Sequence, residues 1–160
     1  MREIMGRIFK SSSNRNGRKG NALLETAFVL PLLCWLILGG MQFGYYFFIK
    51  NTLQGAAREG CRSGIVLNNN NVDVTTAVAR YLNSAGLNSN STTLDPKFTL
   101  KIESPLGAAL DAGSLSAGSA CFVTIQASWG NVGVLMLPPA LGGLSNTKVV
   151  AGVSVMRKEG

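Results

Sequence analysis

The chain has 160 residues, of which 46% are hydrophobic and only 14% charged, so it is short for two globular domains and apolar for a soluble one. Histidine is absent, which excludes the Ser/His/Asp triad, the Cys/His dyad and His-ligated zinc. The net charge of +7 is unevenly distributed, because six of the fifteen cations and only one acid lie in residues 1–20. The remaining 140 residues therefore carry only +2.

Residues 26–49 form a run of 24 consecutive uncharged residues, which as an α-helix at about 1.5 Å per residue extends roughly 36 Å. This length spans a hydrocarbon core and exceeds the roughly 7 to 15 apolar residues of a cleaved secretory signal. Because most nearby cations precede the run, we expect a cytoplasmic N-terminus, an exported remainder and membrane lipid as a partner. An aromatic cluster near the end of the run lies at the far interface, packs against protein, or does both: Phe43, Tyr45, Tyr46, Phe47 and Phe48.

The helical pattern continues beyond the apolar run. Apolar or small side chains recur on one face, at Ile49, Leu53, Ala56, Gly60 and Cys61. We therefore predict one helix from about Ala22 to Ser63. Pro31 lacks an amide proton and clashes with the preceding turn, so a kink is expected near it.

Small residues recur at four-residue spacing along this helix. Gly40 and Gly44 form one pair, and Ala56, Gly60 and Gly64 continue the spacing further on. Such residues let another helix approach closely. The same pattern occurs by chance in apolar helices, so Gly40 and Gly44 either pack against a helix or simply face lipid.

Glu25 introduces a carboxylate at the start of the apolar run. A charge inside the membrane costs a few kcal/mol unless it is paired or solvated. Two explanations remain open at this point. Either the carboxylate lies in the headgroup region, hydrated and close to Lys19, or it has a specific partner.

The segment from Arg18 to Glu25, RKGNALLE, followed by an apolar helix, resembles a type IV prepilin processing site. The resemblance implies that a membrane-embedded prepilin peptidase cuts after Gly20, and that Glu25 is the fifth residue of the mature chain. Cleavage would create an α-amine on Asn21 with a pKa of about 8. The carboxylate of Glu25 can neutralise that amine, within one subunit or between neighbours.

Three sequence blocks narrow the family. They are residues 20–33, GNALLETAFVLPLL, residues 56–62, AAREGCR, and residues 153–159, VSVMRKE. Together they resemble the TadE-like minor pilins of tight-adherence (Flp) pilus systems. The resemblance implies a pilin or pseudopilin of the inner membrane that acts in pilus assembly or adhesion through helix packing. It also implies three partners: prepilin peptidase, other major and minor pilins, and the Tad inner-membrane platform.

The sequence divides into a basic cytoplasmic leader (1–20), a long membrane-spanning helix (21–64) and a small exported domain (65–160). We predict an α+β fold, in which the long helix is followed by one further helix and a three-stranded antiparallel sheet. Asp73 is expected to cap the further helix, which carries Val74, Ala77, Val78, Tyr81 and Leu82 on one face and ends near Gly86. The predicted inward strand residues are Phe98, Leu100 and Ile102; Cys121, Val123, Ile125, Ala127 and Trp129; and Val149, Ala151, Val153 and Val155.

Two features of the exported domain stay open. Residues 134–141 are strongly apolar for a loop, and they either fold over the sheet or stay exposed to another pilin or the bilayer. Cys61 and Cys121 both fall on the oxidising side, whereas Cys34 falls within lipid. A disulfide between Cys61 and Cys121 is possible if their Cα atoms lie within reach.

Other functions are disfavoured. The cations cluster beside a membrane segment without interleaved aromatic residues, so we expect no nucleic-acid partner. Scattered acids predict no catalytic site, metal, cofactor or small-molecule substrate. The alternative to the pilin is an uncleaved single-pass membrane scaffold whose exported domain binds an envelope partner. In both cases the C-terminal domain is expected to be periplasmic or otherwise extracytoplasmic, and only the pilin would reach the cell surface within a pilus.

Overall fold

The computed structural model of the chain describes residues 16–66, 69–104, 107–109, 111–134 and 137–158, with side chains described from residue 22 onward. Two helices, α1 (Asn16–Gly64) and α2 (Asn71–Ser84), precede strands β1 (Phe98–Glu103), β2 (Ala120–Ser128) and β3 (Val149–Arg157), with a short helix α3 (Trp129–Val132) after β2. Two 3-10 turns cover Ala112–Ser114 and Pro139–Leu141. The predicted α+β architecture is confirmed. Most of the leader and part of the predicted turn, residues 67 and 68, lie outside the described residues.

Helix α1 begins earlier than the sequence pattern predicted. Its first residue is Asn16 instead of Ala22, whereas its end at Gly64 agrees with the prediction. The helix extends back from the apolar run through Arg18 and Lys19 into the leader, although Gly17 and Gly20 are poor helix formers. The helix also continues through Pro31, and the kink expected there stays a prediction.

The chain divides into two compact units, residues 1–37 and 38–160. The second unit contains the sheet, in the order β1-β2-β3 with both pairs antiparallel, as predicted. The central strand β2 aligns Ile125 with Leu100 on one side and with Gly152 on the other. Its inward face is buried along its whole length, because residues from α1 and α2 cover it.

The core lies between the sheet and the C-terminal part of α1. The predicted stripe of α1 is confirmed, since Ile49, Leu53, Ala56 and Cys61 are fully buried. Helix α2 closes the core with a second buried face, formed by Val74, Val78, Ala79 and Leu82. The result is a two-layer arrangement, in which two helices cover one face of a sheet.

The predicted inward face of β3 is wrong. Val149, Val153 and Val155 are about half exposed, whereas Val150, Gly152 and Ser154 are buried. The reason is the proximity of α1: a Cβ atom at Gly152 would lie 2.3 Å from the carbonyl carbon of Leu53. Only glycine allows this approach, so the strand turns Gly152 and Ser154, together with Val150, toward the core, and its other three valines outward.

The cap of α2 also differs from the prediction. Asn70, not Asp73, is the N-cap, and its side-chain oxygen accepts from the backbone amides of Val72 and Asp73. The Asp73 carboxylate in turn accepts from the Asn70 amide at 2.9 Å, which completes a capping box. Tyr81, expected on the inward face, is 40% exposed, and Ala79 is buried instead.

Replacing Gly152 by alanine is expected to destabilise the second unit by about 3 kcal/mol, because the added methyl group overlaps the backbone of Leu53. Thermal unfolding of the full chain in detergent, followed by tryptophan fluorescence, measures the effect. Gly113→Ala is the matched control, since a Cβ there meets its nearest neighbour at an ordinary 3.6 Å. Equal melting temperatures for the two variants would contradict the prediction.

Candidate functional site

The N-terminal part of α1 presents an apolar surface on every side. All side chains from residue 22 to residue 38 are exposed, with Leu23 at 72%, Phe28 at 80% and Leu36 at 65%. A helix that is hydrophobic all round is stable in lipid or among other apolar helices. By length and composition, the segment Ala22–Gly64 could cross a membrane, with a mean hydropathy of 2.1 in its most apolar window. This apolar helix suggests that the chain is anchored in a membrane.

The residues of the predicted processing site all lie on α1. Gly20 and Asn21 are in its first turns, and Glu25 follows Asn21 by four residues. Residues spaced by four lie on the same face of a helix, about 5 to 6 Å apart between Cβ atoms. The carboxylate of Glu25 is exposed. The geometry is therefore compatible with a pair between Glu25 and an α-amine on residue 21, and cleavage itself stays a prediction.

A polar contact holds Leu137, in the apolar segment 134–141, against α1; residues 135 and 136 of this segment lie outside the described residues. Gln42 is only 1% exposed, and its side-chain oxygen accepts a hydrogen bond from the backbone amide of Leu137 at 3.2 Å. Leu137 is itself buried and lies next to Gly39. The sequence pattern did not predict a role for Gln42. Its signal is that Gln42 is the only side-chain amide within the 24 uncharged residues.

The aromatic cluster is divided between two environments. Tyr45 and Tyr46 pack on Trp129, with ring centroids 6.0 and 5.7 Å away, and the Tyr45 hydroxyl donates to the Val132 carbonyl at 3.2 Å. The phenylalanines stay about half exposed, namely Phe43, Phe47 and Phe48. We call the group formed by Gln42, Tyr45, Tyr46, Trp129 and Leu137 the collar. The collar contacts α1 at residues that lie within the apolar run 26–49.

The small residues of α1 fall into two groups. A Cβ at Gly40 or Gly44 would meet no atom within 4 Å, so both positions face open space. At Gly60 it would lie 2.8 Å from Val78 of α2, and Ala56 is fully buried. Gly60 and Ala56 are therefore occupied within the chain, and only Gly40 and Gly44 leave room for a helix of another subunit.

Cys61 and Cys121 meet in the core between α1 and β2. Both are free thiols that are at most 1% exposed. The Cys61 thiol donates to the carbonyls of Ser154 at 3.1 Å and Cys121 at 3.6 Å. The interaction with Cys61 and burial raise the pKa of Cys121, so its sulfur is a neutral thiol at neutral pH. The structure thus brings the two residues together, and the bridge between them stays a prediction.

We predict that protein taken from an oxidising compartment and denatured in an alkylating reagent contains one reactive thiol, Cys34, because oxidation there would join the neighbouring thiols of Cys61 and Cys121. Closing a loop of about 60 residues stabilises the fold by roughly 4 kcal/mol in the chain-entropy model, so reduction should lower the melting temperature. Mass spectrometry counts the thiols. Cys61→Ser is the control and should show two. Three thiols in the unaltered chain would disprove the bridge.

Gln54 covers part of the open edge of the sheet. Its side-chain amide donates to the carbonyl of Val153, and its oxygen accepts from the Val153 amide at 3.2 Å. Strand β3 has no strand beyond it in the sheet described, so these two backbone groups face away from β2. Gln54 takes the place of a neighbouring strand and protects this point of the edge from pairing with another chain.

The described surface shows no arrangement typical of catalysis. The open groove between α1 and α2 is lined by charges of both signs, from Glu59, Arg62, Asp73 and Arg80. Among the residues that the structure describes, no group of three or more His, Cys, Asp or Glu is placed to hold a metal. The groove is an ordinary solvated surface, whereas the unusual features lie on α1.

The comparison with protein families gives one match. The model of the family described as TadE-like protein matches residues 20–62. The match begins at Gly20 and includes the first two of the three sequence blocks that resembled this family, while the terminal block lies outside it. The resemblance is confirmed over this segment, and the match suggests a protein associated with a Tad pilus. Neither the curated proteins nor the solved structures gave a match.

Proposed function

We propose that this chain is a minor pilin or pseudopilin of a Tad pilus. The observation that carries the proposal is the coincidence of three features on α1. The TadE-like match starts at Gly20, Glu25 follows at the fifth position after it, and the next residues form an exposed apolar helix. Each feature has its own role: Gly20 for cleavage, Glu25 for charge pairing, and the apolar surface for lipid and then for other pilins.

The helix enters the inner membrane with its N-terminus in the cytoplasm. Six cations precede the apolar run, and only Lys50, Arg58 and Arg62 lie shortly after it. Cations concentrate on the cytoplasmic side of membrane helices, which supports this orientation. The domain formed by α2 and the three strands is then exported to the periplasm. Anionic lipid at the inner surface attracts the leader until it is removed.

Cleavage after Gly20 would remove the positive charge of the leader and create a new positive charge at the N-terminus of the mature chain. It removes a leader whose side chains carry +5, so that the side chains of the mature chain sum to +2. It also leaves an ammonium on Asn21 at the edge of the apolar helix. Glu25 lies one turn away and supplies the opposite charge, either to its own amine or to that of a neighbouring pilin.

Assembly moves α1 from lipid into a bundle of apolar helices. The exposed side chains of residues 22–38 suit both environments, and Gly40 and Gly44 let another helix come close. The prepilin peptidase, other major and minor pilins and the inner-membrane platform are the partners of this sequence of steps. Within the pilus, the exported domain is available at the surface for assembly contacts or adhesion.

The first test is the N-terminal sequence of the membrane-extracted protein from cells with active prepilin peptidase. We expect Asn21 as the first residue, because the site in the chain has the register of a prepilin. Gly20→Val is the control and should retain Met1, since a branched side chain replaces the residue before the cut. An intact Met1 in the unaltered chain would favour the uncleaved scaffold over the pilin.

The second test separates cleavage from assembly. Glu25→Ala should be cleaved normally, but its amount in pili should fall at least tenfold. The variant leaves the Asn21 ammonium unpaired, and an unpaired charge in the membrane costs about 2.5 to 3.5 kcal/mol. Immunoblots of sheared pili against membranes measure the ratio. Glu59→Ala is the matched control, since it removes a carboxylate near the other end of α1, where Glu59 is paired only weakly with Arg62 at 3.9 Å. Normal incorporation of the Glu25 variant would contradict the pairing role.

A further inference from the structure

Three residues of the collar belong to the segment of α1 that is predicted to span the membrane. Gln42, Tyr45 and Tyr46 belong to the 24 uncharged residues that predict the span, yet the loop residue Leu137 and the indole of Trp129 cover them. The folded domain therefore begins inside the apolar run. Once α1 is in a bilayer, the collar therefore lies in or next to the lipid.

Helix length fixes the depth of the collar. A hydrocarbon core of about 30 Å is crossed by about 20 helical residues. Counted from Thr26, the first residue after Glu25, this distance ends near Tyr45. Gln42 lies roughly 24 Å along the helix from Thr26, at about 1.5 Å per residue. The collar thus falls at the outer boundary of the hydrocarbon, where a bare amide would be costly. Leu137 pairs with the Gln42 oxygen and buries the side chain.

From this geometry we propose that residues 137–143, here called the membrane loop, insert into the outer-leaflet interface of the bilayer that α1 enters. The proposal rests on the membrane insertion of α1 in the proposed function. The loop follows a path that is compatible with lipid contact because its surface is apolar, with Pro138, Pro139, Ala140 and Leu141 all exposed. The residues on either side of Gln42 in α1 are also apolar and about half exposed, namely Met41 and Phe43.

The backbone of the membrane loop favours lipid over a protein partner. In lipid, backbone polar groups have to be satisfied within the chain. The amides of Leu141, Gly142 and Gly143 donate to the carbonyls of Pro138 or Pro139 at 2.9 to 3.1 Å, and the Leu137 amide donates to Gln42. Pro138 and Pro139 have no amide proton. The loop thus offers few backbone donors to a protein partner while presenting apolar side chains.

Side chains typical of a membrane interface accompany the loop. Tyr45 and Tyr46, which are partly exposed beside the buried Trp129, are amphipathic aromatic residues of the kind that concentrate at headgroup level. The Lys148 ammonium lies 5.5 Å from the centre of the Tyr46 ring, so a cation is available at the same level for lipid phosphate. The exposed loop is apolar, whereas the two tyrosines and Lys148 add polar groups, and a membrane interface offers both kinds of contact.

The test uses full-length protein in vesicles of phosphatidylethanolamine and phosphatidylglycerol, with an environment-sensitive fluorophore on a single exposed cysteine and a nitroxide quencher on the lipid acyl chains. Three proteins are compared. The unaltered chain carries the label on Cys34, in the exposed apolar part of α1. The Cys34→Ser chain carries it after Ala140→Cys, in the membrane loop, or after Ser91→Cys, in an exposed polar loop of the same domain.

We expect the labels at positions 34 and 140 to lose most of their fluorescence to the quencher and the label at position 91 to keep it. Quenching at 34, with position 140 quenched no more than position 91, would overturn the membrane loop and leave the proposed function intact. Absence of quenching at 34 would overturn membrane insertion and the loop together. An emission shift at 140 that appears only as the protein-to-lipid ratio rises would identify a second copy as the occupant, and would also overturn the proposal.

Discussion

The approach of the α1 backbone to β3 is the constraint on which the rest of the domain depends. Gly152 lies directly against the carbonyl of Leu53, so the helix sits closer to the sheet than a side chain at this position would permit. Further along α1, Ala56 is fully buried, and Gly60 leaves room for Val78 of α2 and Val123 of β2. The same approach brings Gln54 to the edge of β3. The packing distance between α1 and β3 and the protection of the sheet edge therefore have one common cause.

The two parts of α1 suit different environments, and the exposure of their side chains differs accordingly. From residue 22 to residue 38 it is exposed on every side, which suits lipid or a bundle of apolar helices. From Ile49 onward only one stripe is buried, and the sheet and α2 cover it. The collar lies between these parts, where the amide of Gln42 is buried by a loop of the domain. In the proposed pilin, this is the level at which the lipid phase ends and the folded domain begins.

Much of the candidate site was predictable from residue order alone. The register from Gly20 to Glu25, the apolar run and the stripe through Cys61 are local properties of one helix, and local periodicity is sufficient to find them. The collar was not predictable in the same way. Its contact joins Gln42 to Leu137, residues 95 positions apart, and the aromatic cluster alone was compatible with lipid, protein or both. Only the path of the loop decided that two tyrosines pack on Trp129.

By itself the sequence determined the long apolar helix, the charge imbalance of the leader, the TadE-like segment and the number of strands, because each depends on composition or on a repeat within a few residues. The tertiary structure decided which face of β3 is buried, and it reversed the prediction. Valines at alternate positions have the strongest apolar pattern, but the helix backbone selects the small residues Gly152 and Ser154. It also decided the environment of Cys61 and Cys121, since only packing brings a helix and a distant strand together. An alternating pattern shows only which residues of a strand are apolar. The space between a strand and a helix depends on contacts between residues far apart in the chain, so the pattern does not show which face is buried.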